Sequence, residues 1–176
     1  NRYTFDQLCR IKAISLAAKL KLDSILSINF LPNAIYKPER CIRTTLEAAK
    51  QYDFPVEQIM FEFTEVEKVE DSTHIKRVIE YYQSLGFITA TDDFGSGYSG
   101  LNLLADFQSN IIKLDMELIR DIHLNKARQI IVNHCIAMFE ELNITALAEG
   151  IETVEEYQWL RQAGVSLMQG YFFARP

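Results

Sequence analysis

Apolar and polar positions follow two rhythms along this chain. Six stretches are short, apolar and rich in β-branched or aromatic residues, which predicts strands: 24–30 (SILSINF), 58–65 (QIMFEFTE), 87–94 (FITATDDF), 110–115 (NIIKLD), 144–150 (ITALAEG) and 166–173 (SLMQGYFF). Between most of them the apolar residues recur at helical spacing. Residues 73–85 place Ile75, Val78, Ile79, Tyr82 and Leu85 on one face, and Gly86 ends that helix as a C-terminal cap. Residues 127–142 carry Ile130, Ile131, Met138 and Leu142, and 46–50 read as a helix interior. Thr153 and Glu156 form a capping box that opens a helix ending near Gly164. Thr4 and Gln7 have the same spacing and predict a helix start at the head of 4–20.

Strand and helix in alternation imply a parallel sheet, either doubly wound or closed into a barrel. The polar residues choose between them. Each strand carries one or more at its C-terminal end: Asn29; Glu62 and Glu65; Asp92 and Asp93; Lys113 and Asp115; Glu149 and Glu152; Gln169. A doubly wound sheet concentrates its site at one switch point, whereas a barrel gathers residues from all its strand ends onto one face. Six contributing strands favour a TIM-like (β/α)8 barrel. Such a barrel typically takes ~250 residues, so about two βα units are expected upstream of this chain.

Strand parity then places the polar groups. In the second strand Phe61 and Phe63 share the face that suits packing beneath helices, so Glu62 points inward. In the fourth, Lys113 and Asp115 share a face with Ile111, the plain alternative for Asp115 being a cap on the next segment. Inward charges are costly unless paired or metal-bound, and a set of carboxylates with one amide and one lysine offers hard oxygen ligands suited to Mg²⁺ or Mn²⁺. Asp92 and Asp93 are neighbours, so they can face one site only if the strand breaks there, a break the sequence assigns to Gly95 and Gly97. A paired aspartate of this kind can bridge two cations for in-line attack on a phosphoester.

Composition narrows the chemistry. A formal charge of −6 leaves no overall basic field to attract a nucleic-acid polymer. The three cysteines, Cys9, Cys41 and Cys135, lack paired spacing and fit a reducing cytoplasm. No apolar run approaches the ~18 residues of a membrane span. His74, His123 and His134 have no ligand spacing and read as surface or helix-packing residues. Gly95, Gly97 and Gly100 give G-x-G-x-x-G spacing, but two aspartates precede it and no long helix follows, so a dinucleotide loop is disfavoured. The Asp93-Phe94-Gly95 triplet lacks the companion motifs of a kinase.

Taken in order, SINFLP with Asn29, FEFTE with Glu62 and Glu65, DDFGSGYSGL with Asp92 and Asp93, IIKLD with Lys113, AEGIET with Glu149 and Glu152, and QGYFFARP with Gln169 resemble the EAL domain, the bacterial cyclic-di-GMP phosphodiesterase family. The resemblance runs over essentially residues 1–176. It implies a TIM-like barrel of EAL type with about six of its βα units in this chain, and hydrolysis of cyclic di-GMP to linear pGpG with two Mg²⁺ or Mn²⁺ ions. By motif position Asn29, Glu62, Asp92, Asp93 and Glu149 are implied metal ligands, with Asp92 bridging the ions. Lys113 is implied to orient and help deprotonate the attacking water. Gln169 and Glu152 would touch substrate or support the ligands from behind, and Glu65 would anchor the loop after Asp93. That loop and its adjacent helix resemble the family's homodimer interface. The motif stretches are nearest to EAL halves coupled to a blue-light (BLUF) sensor, so an upstream sensor domain is expected. The Glu-Ala-Leu segment, which supplies a further ligand in the family, does not occur in this chain, and the isolated 176 residues are expected to be inactive. The alternative is a catalytically inactive EAL-type domain that serves as a cyclic-di-GMP receptor or protein-interaction module.

Overall fold

The computed structural model describes residues 2–30, 37–64, 72–97 and 100–175. Its elements alternate as the polarity pattern predicts: α1 (Arg2–Lys19), β1 (Leu26–Asn29), α2 (Pro38–Cys41), α3 (Arg43–Gln51), β2 (Ile59–Thr64), α4 (Ser72–Ser84), β3 (Ile88–Phe94), α5 (Gly100–Asp106), β4 (Ile111–Leu114), α6 (Met116–Ile119), α7 (Lys126–Glu141), β5 (Thr145–Ala148), α8 (Val154–Gln162) and β6 (Leu167–Met168). The strand order is β1-β2-β3-β4-β5-β6. The pairs β1/β2, β4/β5 and β5/β6 are all parallel. Strands that neighbour each other in chain order leave no reversal point of the doubly wound kind, so the α/β class and the barrel-type succession agree with expectation.

The chain forms two compact units. The first holds the described residues up to Phe63 and 72–90. Its core is aromatic: Phe61 contacts Phe30, Tyr82 and Phe87 with ring centroids 5.7, 5.1 and 5.3 Å away. Tyr82 lies on α4, so Phe61 does face a helix, as parity required. Buried Arg10 of α1 lies 5.1 Å over the Phe61 ring and pairs with Asp6 at 2.7 Å. The second unit holds Thr64 and the residues from Thr91 onward. Its core joins Phe94, Ile112, Leu114, Val132, Ile136, Phe139, Ile151 and Leu160.

Two local expectations change. The predicted capping box at Thr4 and Gln7 is not formed, because α1 already runs through Thr4. Gln7 is buried instead, donating to the Cys41 carbonyl at 3.2 Å and accepting from the Thr44 hydroxyl. The last strand is also much shorter than 166–173. A Cβ on Gly170 would lie 2.2 Å from the Ile151 carbonyl oxygen and 2.3 Å from its nitrogen. Only glycine permits that approach. The chain then turns, with Phe172 N–H donating to Ile151 and Phe173 N–H to Gly170.

Candidate metal centre

Strand ends of the second unit carry an acidic cluster. Oxygens of Asp92, Asp93 and Glu149 lie within 4.8 Å of one another. Asp92 and Asp93 come from the end of β3, and Glu149 follows β5 directly. The break that lets adjacent aspartates meet is at Asp93 itself, whose φ is +57°. Aspartate tolerates this left-handed conformation better than most residues. The sequence assigned the break to Gly95 and Gly97; Gly95 (φ +99°) instead makes the next step, where a Cβ would lie 2.6 Å from Leu118 Cδ1. Asp92 Oδ1 accepts the Asp93 N–H at 3.0 Å, while the Ser96 N–H and hydroxyl both donate to the Asp93 carbonyl, at 3.1 and 2.9 Å.

Lys113 reaches this cluster from β4. It is 4% exposed. Its Nζ lies 2.9 Å from Asp92 Oδ1 and 2.6 Å from Glu149 Oε1. The Gln169 amide donates to the same Glu149 oxygen at 2.5 Å. Burial pushes the Glu149 carboxyl up to about 7; Lys113 opposes that rise, and the charge of Asp92 adds to it. Among the described residues, three carboxylates face one ammonium in a partly desolvated site. An all-oxygen, acidic donor set of this kind fits a hard divalent cation.

The other proposed site residues fall as follows. Asn29 and Glu62 belong to the first unit, where they are register partners across β1 and β2. Phe30 N–H donates to the Glu62 carbonyl at 2.9 Å, and the Glu62 side chain is buried. Asp115 caps α6, accepting the Glu117 N–H at 2.8 Å. Glu152 is not brought to the cluster: it grips Arg120 in a two-pronged pair at 2.8 and 2.9 Å on the surface. Those partners are 32 positions apart, and no spacing rule could have joined them. Glu65 lies outside the described residues.

Parallel α/β topology with an acidic, lysine-bridged cluster at the C-terminal strand ends is the arrangement of a barrel-type domain whose strand ends offer oxygen ligands to a divalent cation. The chain belongs to the EAL domain family, which it matches over residues 2–176. It is 35% identical over 174 residues to the "Blue light- and temperature-regulated antirepressor BluF" of Escherichia coli, covering 98% of this chain and 43% of BluF. It is 35% identical to "Cyclic di-GMP phosphodiesterase PdeR" of the same organism, covering 74% of this chain and 20% of PdeR. The chain therefore spans less than half the length of these curated relatives. Among solved structures it is similar to a standalone versatile EAL protein of Vibrio cholerae O395 in its c-di-GMP-bound form, with 70% identity and a TM-score of 0.96 over 100% of this chain and 74% of that one. It is also similar to Klebsiella pneumoniae BlrP1 in a manganese/cy-diGMP complex, with 39% identity and a TM-score of 0.92 over 99% of this chain and 45% of that one. Among the described residues no helix is long and apolar enough to cross a membrane.

Proposed function

We propose that the protein containing this chain hydrolyses cyclic di-GMP to linear pGpG in bacterial second-messenger signalling. The observation that carries this is the Asp92–Asp93–Glu149 cluster with the Lys113 ammonium set on two of its members. Asn29, Glu62, Asp92, Asp93 and Glu149 are the residues assigned to two divalent cations, Mg²⁺ or Mn²⁺. When bound, such ions supply Lewis-acid polarisation of the phosphodiester and a lowered pKa for water. Lys113 holds the attacking water and places positive charge beside the hydroxide that develops, which favours its formation. Gln169 fixes the Glu149 carboxylate through its amide. In this reading the chain is the C-terminal three-quarters of an EAL domain with the Glu-Ala-Leu segment upstream. A sensor domain precedes it, the protein is cytoplasmic, and the loop after Asp93 with α5 forms a homodimer contact.

One comparison favours a second reading: a relative matched over 98% of this chain is named an antirepressor. A domain of that kind would act by binding a partner rather than by turnover. Incubating the natural protein with cyclic di-GMP and Mn²⁺ separates the two. The phosphodiesterase reading expects pGpG on chromatography, lost with a chelator and in Asp92→Asn. Binding of cyclic di-GMP without product would leave the receptor reading.

A further inference from the structure

Glu156 is 0% exposed, although it stands in the first turn of α8, where a carboxylate is ordinarily solvated. One of its oxygens does the work the capping box predicts: Oε2 accepts the Thr153 N–H at 3.1 Å and the Glu152 N–H at 2.9 Å. The other oxygen leaves the helix. Oε1 accepts the N–H of Asp121 at 2.9 Å, from a turn 35 residues earlier in the chain. A cap needs only the first oxygen. The second makes Glu156 a tie between the segment joining β5 to α8 and the turn after α6.

Glu149 stands at the head of that tied segment. The segment is held at several points along its length. Glu149 N–H donates to the Leu114 carbonyl at 3.2 Å, and Ile151 N–H to the Gln169 carbonyl at 3.2 Å. Gly150 has φ +66° and packs so closely on Met116 that a Cβ would lie 2.5 Å from the Met116 Cβ. The amides of residues 152 and 153 have Glu156 as their acceptor. Hydrogen bonds from backbone amides to an ionised, buried carboxylate are short and strong. Removing that acceptor frees the C-terminal half of the segment and its link to Asp121.

We infer that Glu156 is a positioning residue for the metal centre: its buried carboxylate ties residues 149–153 to the Asp121 turn and thereby sets where the Glu149 carboxylate stands relative to Lys113 and Asp92. This rests on the cation reading of the site given above. Metal sites lose affinity when the groups behind their ligands are removed, typically by ~10–100-fold. Glutamine at this position keeps one acceptor oxygen and loses the other, so it can serve the cap or the Asp121 tie but not both.

The test is Mn²⁺ affinity by calorimetry on the natural protein, for Glu156→Gln, Glu149→Gln, the double variant and Thr153→Ala. Glu156→Gln is expected to weaken Mn²⁺ by at least ~10-fold. In the double variant the two losses should not add, because Glu156 acts through Glu149. Thr153→Ala removes a cap bond and leaves the tie, so it should lower the melting temperature and leave Mn²⁺ affinity unchanged. Wild-type Mn²⁺ affinity in Glu156→Gln, or fully additive losses in the double variant, would overturn the assignment. If Glu149→Gln itself leaves Mn²⁺ binding intact, the cation reading fails first. Glu156→Asp, still charged but one methylene shorter, takes the same measurements with the same two outcomes should the amide variant not fold.

Discussion

Arg10 and Lys113 are both buried positive charges, 2% and 4% exposed, one in each unit. Their surroundings differ in a way that separates scaffold from chemistry. Arg10 finds its counter-charge one helical turn away, in Asp6 at 2.7 Å, and lays its guanidinium 5.1 Å over the Phe61 ring. That pair is electrically closed. Lys113 lies against Asp92 and Glu149, which come from two different strand ends, with Asp93 beside them. One ammonium faces three carboxylates there, and burial, with the charge of Asp92 adding to it and Lys113 opposing it, pushes the Glu149 carboxyl up to about 7. A buried charge with a local counter-charge belongs to the scaffold, because removing one partner strands the other. An acidic cluster gathered from distant strand ends, with one ammonium among its three carboxylates, offers a place for a cation.

The largest effect expected from breaking this contrast is at Lys113. Lys113→Ala should cut cyclic-di-GMP turnover by roughly 10²–10³-fold, the range for removing one preorganised group that stabilises charge developing in the transition state. Mn²⁺ affinity should hold or rise, because the substitution removes a competing ammonium from the carboxylates. Steady-state hydrolysis and calorimetry together check this. Unchanged turnover per folded molecule with a large loss of stability would make Lys113 a second Arg10. The reverse experiment is Arg10→Met, which leaves the Asp6 carboxylate without its partner. Unfolding free energy should fall by about 3 kcal/mol, and Asp6→Leu in the same molecule should recover much of it, while turnover of the folded fraction stays constant. Denaturant titration measures the first and initial rates the second.

The contrast also explains what the sequence could and could not tell. Strand parity placed Glu62 inward because Phe61 and Phe63 needed a helix to pack under, and Phe61 does meet Tyr82 of α4 at 5.1 Å. The strand-end pattern pointed to Lys113, Asp92, Asp93 and Glu149, which lie together in the second unit. What it missed, it missed for physical reasons. The break at Asp93 depends on a single backbone angle, and glycine is the stronger local signal, so the turn was assigned to Gly95 and Gly97. Gln7 reads as a capping residue by its spacing from Thr4, but a tertiary contact with Cys41 and Thr44 takes it. The partners of Glu152 and of the second Glu156 oxygen lie 32 and 35 positions away, beyond any local rule.

Glu156 extends the comparison to a buried negative charge held chiefly by backbone N–H groups, with a smaller contribution from the Arg120 charge. Burial pushes its carboxyl up, but the N–H groups of Glu152, Asp121 and Thr153 outweigh burial and hold it below the usual carboxylate range. A folded-state pKa below the unfolded one gives stability that is present above the unfolded value, near 4.3, and lost as pH falls through the folded one. The stability difference between wild type and Glu156→Gln should therefore be largest near neutral pH and shrink on acidification. Thermal unfolding across that range reads it. A difference that stays constant with pH would mean the carboxylate charge plays no part.

The smallest effect is expected at the Arg120–Glu152 pair, and its smallness is informative. The pair has ideal two-pronged geometry at 2.8 and 2.9 Å, and the hydrogen bond from Arg120 lowers the Glu152 carboxyl despite an opposing desolvation. Yet the side chains are 30% and 41% exposed, so water and salt screen the attraction, and ordering two long side chains offsets much of what remains. Arg120→Ala should therefore shift the melting temperature slightly at low salt and not at all at high salt. Glu152→Gln should leave Mn²⁺ affinity and turnover at wild-type levels. Family position would set Glu152 beside the substrate, and here geometry and motif disagree. A loss of Mn²⁺ affinity in Glu152→Gln comparable to that in Glu149→Gln would decide for the motif. It would also show that the segment from Glu149 to Thr153 places both of its glutamates at the centre once the cation is bound.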